Sequence, residues 1–166
     1  MPIVIKDGDL LKSDCEYICH QVNCKGKMNS GIAKSIREMW PSAYEAYFDK
    51  WRANYEADLP SAFLLGDIQI CTFHDEERIN NIKGVINMFG QDNYGYDGLR
   101  YTSYDAIWSC LSQISKLFVP GTTIGFPYHV GCDRGGGNWD LIYWMIEYLL
   151  GDKYNIEIWR LPKDEN

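Results

Sequence analysis

Two rhythms of apolar spacing run along the chain, and their succession predicts its elements. Ile3, Val4 and Ile5 form a short β-branched run ended by Gly8-Asp9, and residues 17–22 form a second apolar run. Two strands therefore open the chain, with a loop over 8–16 between them. From Gly31 the spacing becomes helical, with Ile32, Ile36 and Met39 on one face and Pro41 closing the segment. A second helix is predicted over about 42–57 behind a cap at Ser42, with Tyr44, Tyr47, Phe48, Trp51 and Tyr55 at helical spacing. Residues 67–73 alternate Ile68, Ile70 and Thr72 as a strand does, and residues 85–89 form a buried strand after the polar stretch 76–83.

Residues 90–100 are a loop rich in Gly, Asp, Asn and Tyr. Thr102, with Asp105 three positions on, predicts the opening of a helix whose Tyr104, Ile107, Trp108, Leu111, Ile114 and Phe118 face inward. A strand over 122–128, a glycine loop over 131–137, a helix capped by Asn138 and running to Leu150, and a strand over 156–161 complete the chain. The order β, β, α, α, β, β, α, β, α, β predicts an α/β chain: a three-layer α/β/α sandwich on a mostly parallel or mixed central sheet. No internal repeat or linker interrupts it, so residues 1–166 are expected to form one domain with a short charged tail over 162–166.

Composition narrows the chemistry. Hydrophobic residues make up 46% of the chain and charged residues 23%, with no segment biased towards disorder. The formal net charge of −7 opposes a long polyanion, so nucleic-acid binding by bulk charge is disfavoured. A small anion escapes that objection, because peptide N–H groups and helix N-termini can hold a diphosphate with few cationic side chains. The six cysteines form no C-x-x-C pair and no zinc-like spacing, and read as reduced thiols of a cytoplasmic protein. Lys6 and Asp7 interrupt the N-terminus where a signal peptide needs an apolar run, and the longest apolar stretch, 141–150, contains Glu147. Neither secretion nor a membrane is expected, and no metal or cofactor is implied.

In open α/β sheets, ligands sit beyond the carboxyl ends of the strands. One loop there runs from Gln21 to Gly31 into a helix; the other, Gly131-Cys132-Asp133-Arg134-Gly135-Gly136-Gly137, runs into the last helix. Four glycines in seven residues suit a close approach of main chain to phosphate, or else a mobile turn. Neither G-x-G-x-x-G nor G-x-x-x-x-G-K-[ST] occurs in the chain. Taken alone, Asp9 also reads as an Asx-turn residue, Asn23 as a loop-satisfying side chain, and His20 and His129 as hydrogen-bonded structural histidines. Lys25 and Lys27 read as a solvated face or as screens for a diphosphate, and Cys132 as an inert thiol.

The runs Gly8-Asp9-Leu10, Cys19-His20-Gln21-Val22-Asn23-Cys24 and Met28-Asn29-Ser30-Gly31-Ile32-Ala33 resemble the opening of a macro domain. Asn87-Met88-Phe89-Gly90-Gln91, Pro127-Tyr128-His129-Val130-Gly131-Cys132 and Gly136-Gly137-Asn138-Trp139 continue the likeness over essentially the whole chain. It is most similar to the bacterial and phage branch related to ADP-ribose 1″-phosphate phosphatases and to the terminal ADP-ribose protein glycohydrolase.

The resemblance implies the macro domain fold and a cleft for ADP-ribose. On it, Asp9 accepts from the adenine amino group beside the Leu10 backbone, and Asn23 contacts the distal ribose. Ser30, Gly31 and Ile32 form a first phosphate loop, and residues 131–137 wrap the diphosphate and distal ribose. Phe89 and the tyrosines of 94–101 would lie at the rim, with Gln21 and Gln91 nearby, and Trp159 would stack on adenine or pack in the core.

The resemblance also has gaps. Where one hydrolytic branch carries an aspartate in the first loop, this chain has Ala33; where the glycohydrolase branch carries an aspartate in the second loop, it has Gly135; and the segment 88–91 lacks that branch's lysine. Asp133 instead stands where similar chains usually carry glycine, either as a general base working with Asn23 or as a loop residue paired with Arg134. Two functions follow as expectations. One is binding of ADP-ribose or a derivative with hydrolysis of a group from its distal ribose, the substrate being the 1″-phosphate or an ADP-ribosylated protein or nucleic acid. The other is a non-catalytic module that reads or sequesters ADP-ribose or another NAD-derived signal. In both, peptide amides rather than lysines or a metal would neutralise the pyrophosphate in an uncharged crevice.

Overall fold

The computed structural model describes residues 2–162. Most of the expected charged tail lies outside them. The elements are β1 (Val4–Asp7), β2 (Tyr17–Asn23), α1 (Gly31–Met39), α2 (Pro41–Glu56), β3 (Ile68–Thr72), β4 (Gly84–Gln91), α3 (Tyr104–Ile114), β5 (Thr123–Pro127), α4 (Trp139–Leu150) and β6 (Asn155–Arg160). One six-stranded sheet has the order β1-β6-β5-β2-β4-β3. Every neighbouring pair is parallel except β3 with β4, so the sheet is mixed.

Side-chain alternation in the strands divides the core into two layers. Ile18 and Val22 of β2 and Val85 and Phe89 of β4 pack with Ile36, Trp40, Ala43 and Tyr47 under α1 and α2. Cys19, Ile86 and Met88 point the other way and pack with Ile107, Leu111, Met145 and Ile146 under α3 and α4. Each fully buried aliphatic or aromatic side chain contributes roughly 1.5–3 kcal/mol. The sandwich therefore stands as expected, and β2, the inner strand between β4 and β5, aims the end of its chain at the loops.

Several local expectations are corrected. Helix α2 begins at Pro41, in the first turn where a missing N–H costs nothing, with Trp40 rather than Ser42 as N-cap; the Ser42 hydroxyl donates to Glu77 Oε2 at 2.5 Å. Helix α3 is capped by Ser103, whose hydroxyl accepts from the Ala106 N–H at 3.2 Å, and not by Thr102. Thr102 instead bridges to Gln91 at the end of β4. Met39 and Tyr55 are exposed, as is Trp108, whose ring stacks outside the core on Trp144 and Tyr148. Of the predicted inner face of α2, Tyr47 is the fully buried aromatic.

One crossing of backbone positions the first part of the site. The segment after β1 turns through Asp9 into a 3-10 turn, Leu10–Lys12, that lies on β5. Gly125 of β5 makes room for it, since a Cβ there would stand 2.5 Å from Leu10 Cδ1 and 2.7 Å from Cys15 Sγ.

Candidate functional site

At the carboxyl ends of β2, β4, β5 and β6 the loops surround an open cleft of about 1200 Å³. It is lined by Asp9, Leu10, Gln21, Asn23, Ser30, Gly31, Ile32, Gln91, Gly131, Cys132, Asp133, Arg134, Gly135 and Trp159, residues singled out from sequence. Three others do not line it. Phe89 is fully buried and stacks on Tyr47 at 5.6 Å, so it belongs to the core beneath α2 and not to the rim. Gly136 and Gly137 face inward: the Gly137 N–H donates to Gly131 O, and a Cβ on Gly136 would meet Leu99 O at 2.7 Å.

The first loop is held from below. The Asn23 Oδ1 accepts from the Lys25 N–H at 3.0 Å and lies 3.4 Å from the Lys27 nitrogen, while Nδ2 donates to Lys27 O at 3.0 Å. Asn23 is thus engaged by the loop's own backbone, aided by a register irregularity between Val22 and Asn23 that pairs Asn23 with Gln91. Past this clamp the chain enters α1 at Ser30, whose side chain makes no capping bond. The first-turn N–H groups of α1 cannot be satisfied within the helix, and no side chain caps them from Ser30. They stand at the cleft wall formed by Ser30, Gly31, Ile32 and Ala33.

The second loop is built differently. Asn138 caps α4 by accepting from the Leu141 N–H, and its own N–H donates to the Tyr104 hydroxyl, so this helix start is closed. The open donors lie earlier, in the loop itself. Among the described residues the N–H groups of Gly131, Asp133, Arg134 and Gly135 have no acceptor within the protein, whereas those of Val130, Cys132, Gly136 and Gly137 donate to neighbouring carbonyls. His129 begins the turn with φ +64°, a left-handed conformation that is uncommon outside glycine and clusters at functional sites.

Charge is present as well as amide dipoles. Lys27, Arg134 and Arg160 line the cleft against Asp9 and Asp133, which corrects the expectation of an uncharged crevice. Two of the cations are shared: Arg160 donates to Asp7 Oδ1 at 2.8 Å, and the Arg134 guanidinium lies 4.6 Å from the centre of the Tyr96 ring. Asp133 stands beside His129, with Nδ1 and Oδ1 3.5 Å apart, and not in a pair with Arg134. The carboxylate is 79% exposed and free to meet a ligand. Asp9 accepts from the Leu11 N–H at 2.9 Å, the Asx-type turn open to it from sequence, which leaves its second oxygen for a donor in the cleft.

Trp159 lines the cleft and its Nε1 donates to Glu157 at 2.9 Å. Tyr128 stacks on His129 with centroids 4.0 Å apart, and Trp139 meets both rings edge-on or tilted. Burial, and secondarily Asp133, pushes the Cys132 thiol up to about 12, so it is no nucleophile near neutrality. His20 is fully buried under α2, paired to Asn87 and held well below its usual range at about 4 by burial. It is remote from any proton-transfer role in the cleft.

The parts that Tyr47, Tyr128, Thr102 and Arg160 play at the site are not visible in the sequence, although Tyr47 and Thr102 stand out there as helix residues and Tyr128 as part of a motif. Their contributions arise from contacts between segments distant in the chain, for which no local pattern exists. Among the described residues no group of three or more His, Cys, Asp or Glu side chains is placed to hold a metal, and no helix is long and apolar enough to cross a membrane.

No protein-family model matches the chain. Two curated relatives, each named a DNA ADP-ribosyl glycohydrolase, from Mycobacterium bovis and Mycobacterium tuberculosis, are 40% identical over 45 residues. That match spans 27% of this chain and 13% of each relative's length. A solved protein of unknown function from Bacteroides thetaiotaomicron is 25% identical, with a TM-score of 0.76 over 97% of this chain and 99% of that one. The macrodomain of Mycobacterium tuberculosis DarG is 18% identical with a TM-score of 0.75, over 95% of this chain and 97% of that one. Thermosipho africanus DarTG, solved in complex with ADP-ribose, is 16% identical with a TM-score of 0.73; the similarity covers 98% of this chain and 43% of that one.

Proposed function

The chain is a macrodomain by fold, and on that premise we propose that its cleft binds ADP-ribose or a close derivative and hydrolyses a group from the distal ribose. One observation carries the reading. The uncapped first turn of α1 and the free N–H groups of Gly131, Asp133, Arg134 and Gly135 converge on one cleft, an arrangement suited to a pyrophosphate held by main chain. Lys27 and Arg134 add cationic charge at the wall. The Asp9 end of the cleft, with the ring of Trp159 beside Gly8, suits a nucleobase: a carboxylate oxygen for an exocyclic amine and an aromatic face for the ring. Partial likeness to proteins named for DNA ADP-ribosyl glycohydrolase activity, and fold likeness to one solved with ADP-ribose, support the same ligand.

For hydrolysis, Asp133 is the base in this reading. His129 lies against it, and the exposed carboxylate can take a proton from water attacking the distal ribose or its phosphate. Charge that develops on the leaving oxygen meets the free loop amides. Asn23 shapes the first loop and offers its remaining Nδ2 hydrogen to a ribose oxygen, with no part as a base because Oδ1 is taken. The substrate is the 1″-phosphate or an ADP-ribosylated macromolecule, and the reaction belongs to the cytoplasm.

A second reading is a non-catalytic binder of ADP-ribose or another NAD-derived nucleotide. The openness of Asp133 favours it, since a catalytic base in closed surroundings works against a lower dielectric. Calorimetry with ADP-ribose, followed by product analysis with ADP-ribose 1″-phosphate and with ADP-ribosylated protein and DNA, tests both. Heat with release of phosphate, or of ADP-ribose from an ADP-ribosylated protein or DNA, supports the enzyme; heat without turnover of any of these supports the binder, and no heat at millimolar ligand removes both.

A further inference from the structure

Three aromatic rings lie on the outside of the molecule where α3 and α4 pack side by side. Trp108 of α3 has its ring centre 6.0 Å from Trp144 and 5.9 Å from Tyr148 of α4, those two lie 5.3 Å apart, and the ring planes are tilted by 23–26°. Their exposures are 37%, 49% and 65%, and Leu141, one turn before Trp144, extends the patch at 37%. Leu141, Trp144 and Tyr148 follow the i, i+3, i+7 spacing of a single helical stripe, about 10 Å long. Together the four leave on the order of 400 Å² of mainly apolar surface in water, the size at which a surface patch is often a contact site.

Charge narrows the occupant. Helices α3 and α4 carry Asp105, Asp140 and Glu147 and no lysine or arginine, whereas α1 and α2 balance four cations against four acids. All three acids are exposed, and among the described residues none takes part in an ion pair. Asp105 and Asp140 stand in first helical turns, where the peptide dipoles favour them; Glu147 stands in the last turn of α4, where they oppose it. Trp144 lies one turn from both Asp140 and Glu147, and Trp108 one turn from Asp105. Arg100 lies over Tyr104 and Lys153 over Tyr154, so among the described residues no cation covers the three rings.

We infer that this face docks a short cationic amphipathic helix of a partner protein. Its apolar side chains would lie against Leu141 and the rings, and its arginines would stack on a ring while donating to the carboxylates beside it. Area and charge set this occupant apart. A stable contact between two globular copies needs about 800 Å² from each, twice the patch, and a two-fold pairing would bring the uncompensated acids of both copies together. The same carboxylates repel an anionic lipid surface. Docking here is independent of any ligand in the cleft, whose lining includes none of these residues.

The test is fluorescence anisotropy with two labelled helical peptides of about 18 residues, one of leucine and arginine and one of leucine and glutamate in the same amphipathic pattern. Each is titrated with the wild type, Tyr148→Ala, Glu147→Gln and, as a control on α2, Tyr55→Ala, with thermal melting to show that each variant is folded. The wild type is expected to bind the leucine–arginine peptide at least tenfold more tightly than the other, with a Kd in the micromolar range. Tyr148→Ala is expected to weaken that binding about tenfold and Glu147→Gln about threefold at low salt, while Tyr55→Ala leaves it unchanged. If Tyr148→Ala does not fold, Glu147→Gln, which keeps the side chain's shape, decides the question. Equal binding of the two peptides, no binding at about millimolar protein, or equal affinity of the wild type and both patch variants overturns the inference. So does a dimer in sedimentation, or binding to anionic lipid vesicles, that is abolished in Tyr148→Ala, since a second copy or a membrane then covers the face.

Discussion

Tyr47 reaches up from α2 to hold Asn23, with its hydroxyl 2.7 Å from Asn23 O and 2.8 Å from Asn23 Oδ1. The same oxygen accepts from the Lys27 N–H at 3.1 Å, so one buried phenol joins the end of β2 to the tip of the first loop. Burial raises the hydroxyl's pKa, which keeps it a neutral donor at every working pH. Tyr47→Phe removes the hydroxyl and leaves the ring packing on Phe89. It is expected to cost about 1–2 kcal/mol of stability by thermal or urea unfolding and about tenfold in ADP-ribose affinity by calorimetry. An unchanged affinity would mean that the loop is ordered without this clamp.

Asp133 and His129 carry the hydrolytic reading. Asp133→Asn keeps the size of the side chain and removes its basicity, so kcat on ADP-ribose 1″-phosphate is expected to fall about 10²–10⁴-fold with KM little changed. His129→Ala is expected to give a smaller loss, since it acts through Asp133. Turnover equal to wild type in Asp133→Asn would remove the carboxylate from the mechanism.

Gly135 tests the second loop by crowding. A Cβ at this position would lie 2.7 Å from Gly131 O and 3.1 Å from Gln21 Nε2, and it would collide with Thr102. Gly135→Ala should therefore cost about 1–3 kcal/mol of stability and displace the free N–H groups from the cleft. At least tenfold weaker ADP-ribose binding, measured below the variant's melting temperature, is the expected outcome. Wild-type affinity would place the ligand elsewhere.

His20 gives the fold a pH dependence. Its imidazole is buried and neutral, with a folded pKa of about 4 against 6.5 when exposed, so between those values the unfolded chain binds the extra proton. The contribution is fully kept above pH 6.5, is lost as pH falls towards 4, and then levels off. Over that window it amounts to about 3 kcal/mol. Urea unfolding of wild type and of His20→Gln, followed from pH 7 to pH 4, is expected to show a steeper decline for wild type. Parallel curves would mean that His20 gains solvent or a counter-charge.

The strands and the order of the layers were legible because β-branched runs and helical periods are local signals. Asn138, an acceptor-bearing residue directly after the glycine loop, was legible as a cap for the same reason. Exposure was less so. Trp108 and Met39 lie at helical spacing with buried residues, yet period alone does not say where a helix face rolls out of the core, and Trp108 finds its partners outside, on Trp144 and Tyr148. Thr102 looked like a cap because its sequence neighbours permit one, but the bridge to Gln91 moves the helix start to Ser103. Phe89 follows a motif that points to the rim, and strand alternation turns its side chain under α2 instead. The partner of Asp133 was misread for a related reason: the turn at His129, with its left-handed backbone, brings the imidazole round to the carboxylate while Arg134 goes to Tyr96.

The central claim is that two loops hold one nucleotide through their peptide amides. Titration of ¹⁵N-labelled protein with ADP-ribose, read by amide chemical shifts, tests it most directly. Saturable shifts are expected, concentrated at residues 23–33 and 129–135, with the largest at Gly31, Ile32, Gly131 and Gly135. Shifts confined to other surfaces, or none at millimolar ADP-ribose, would contradict it.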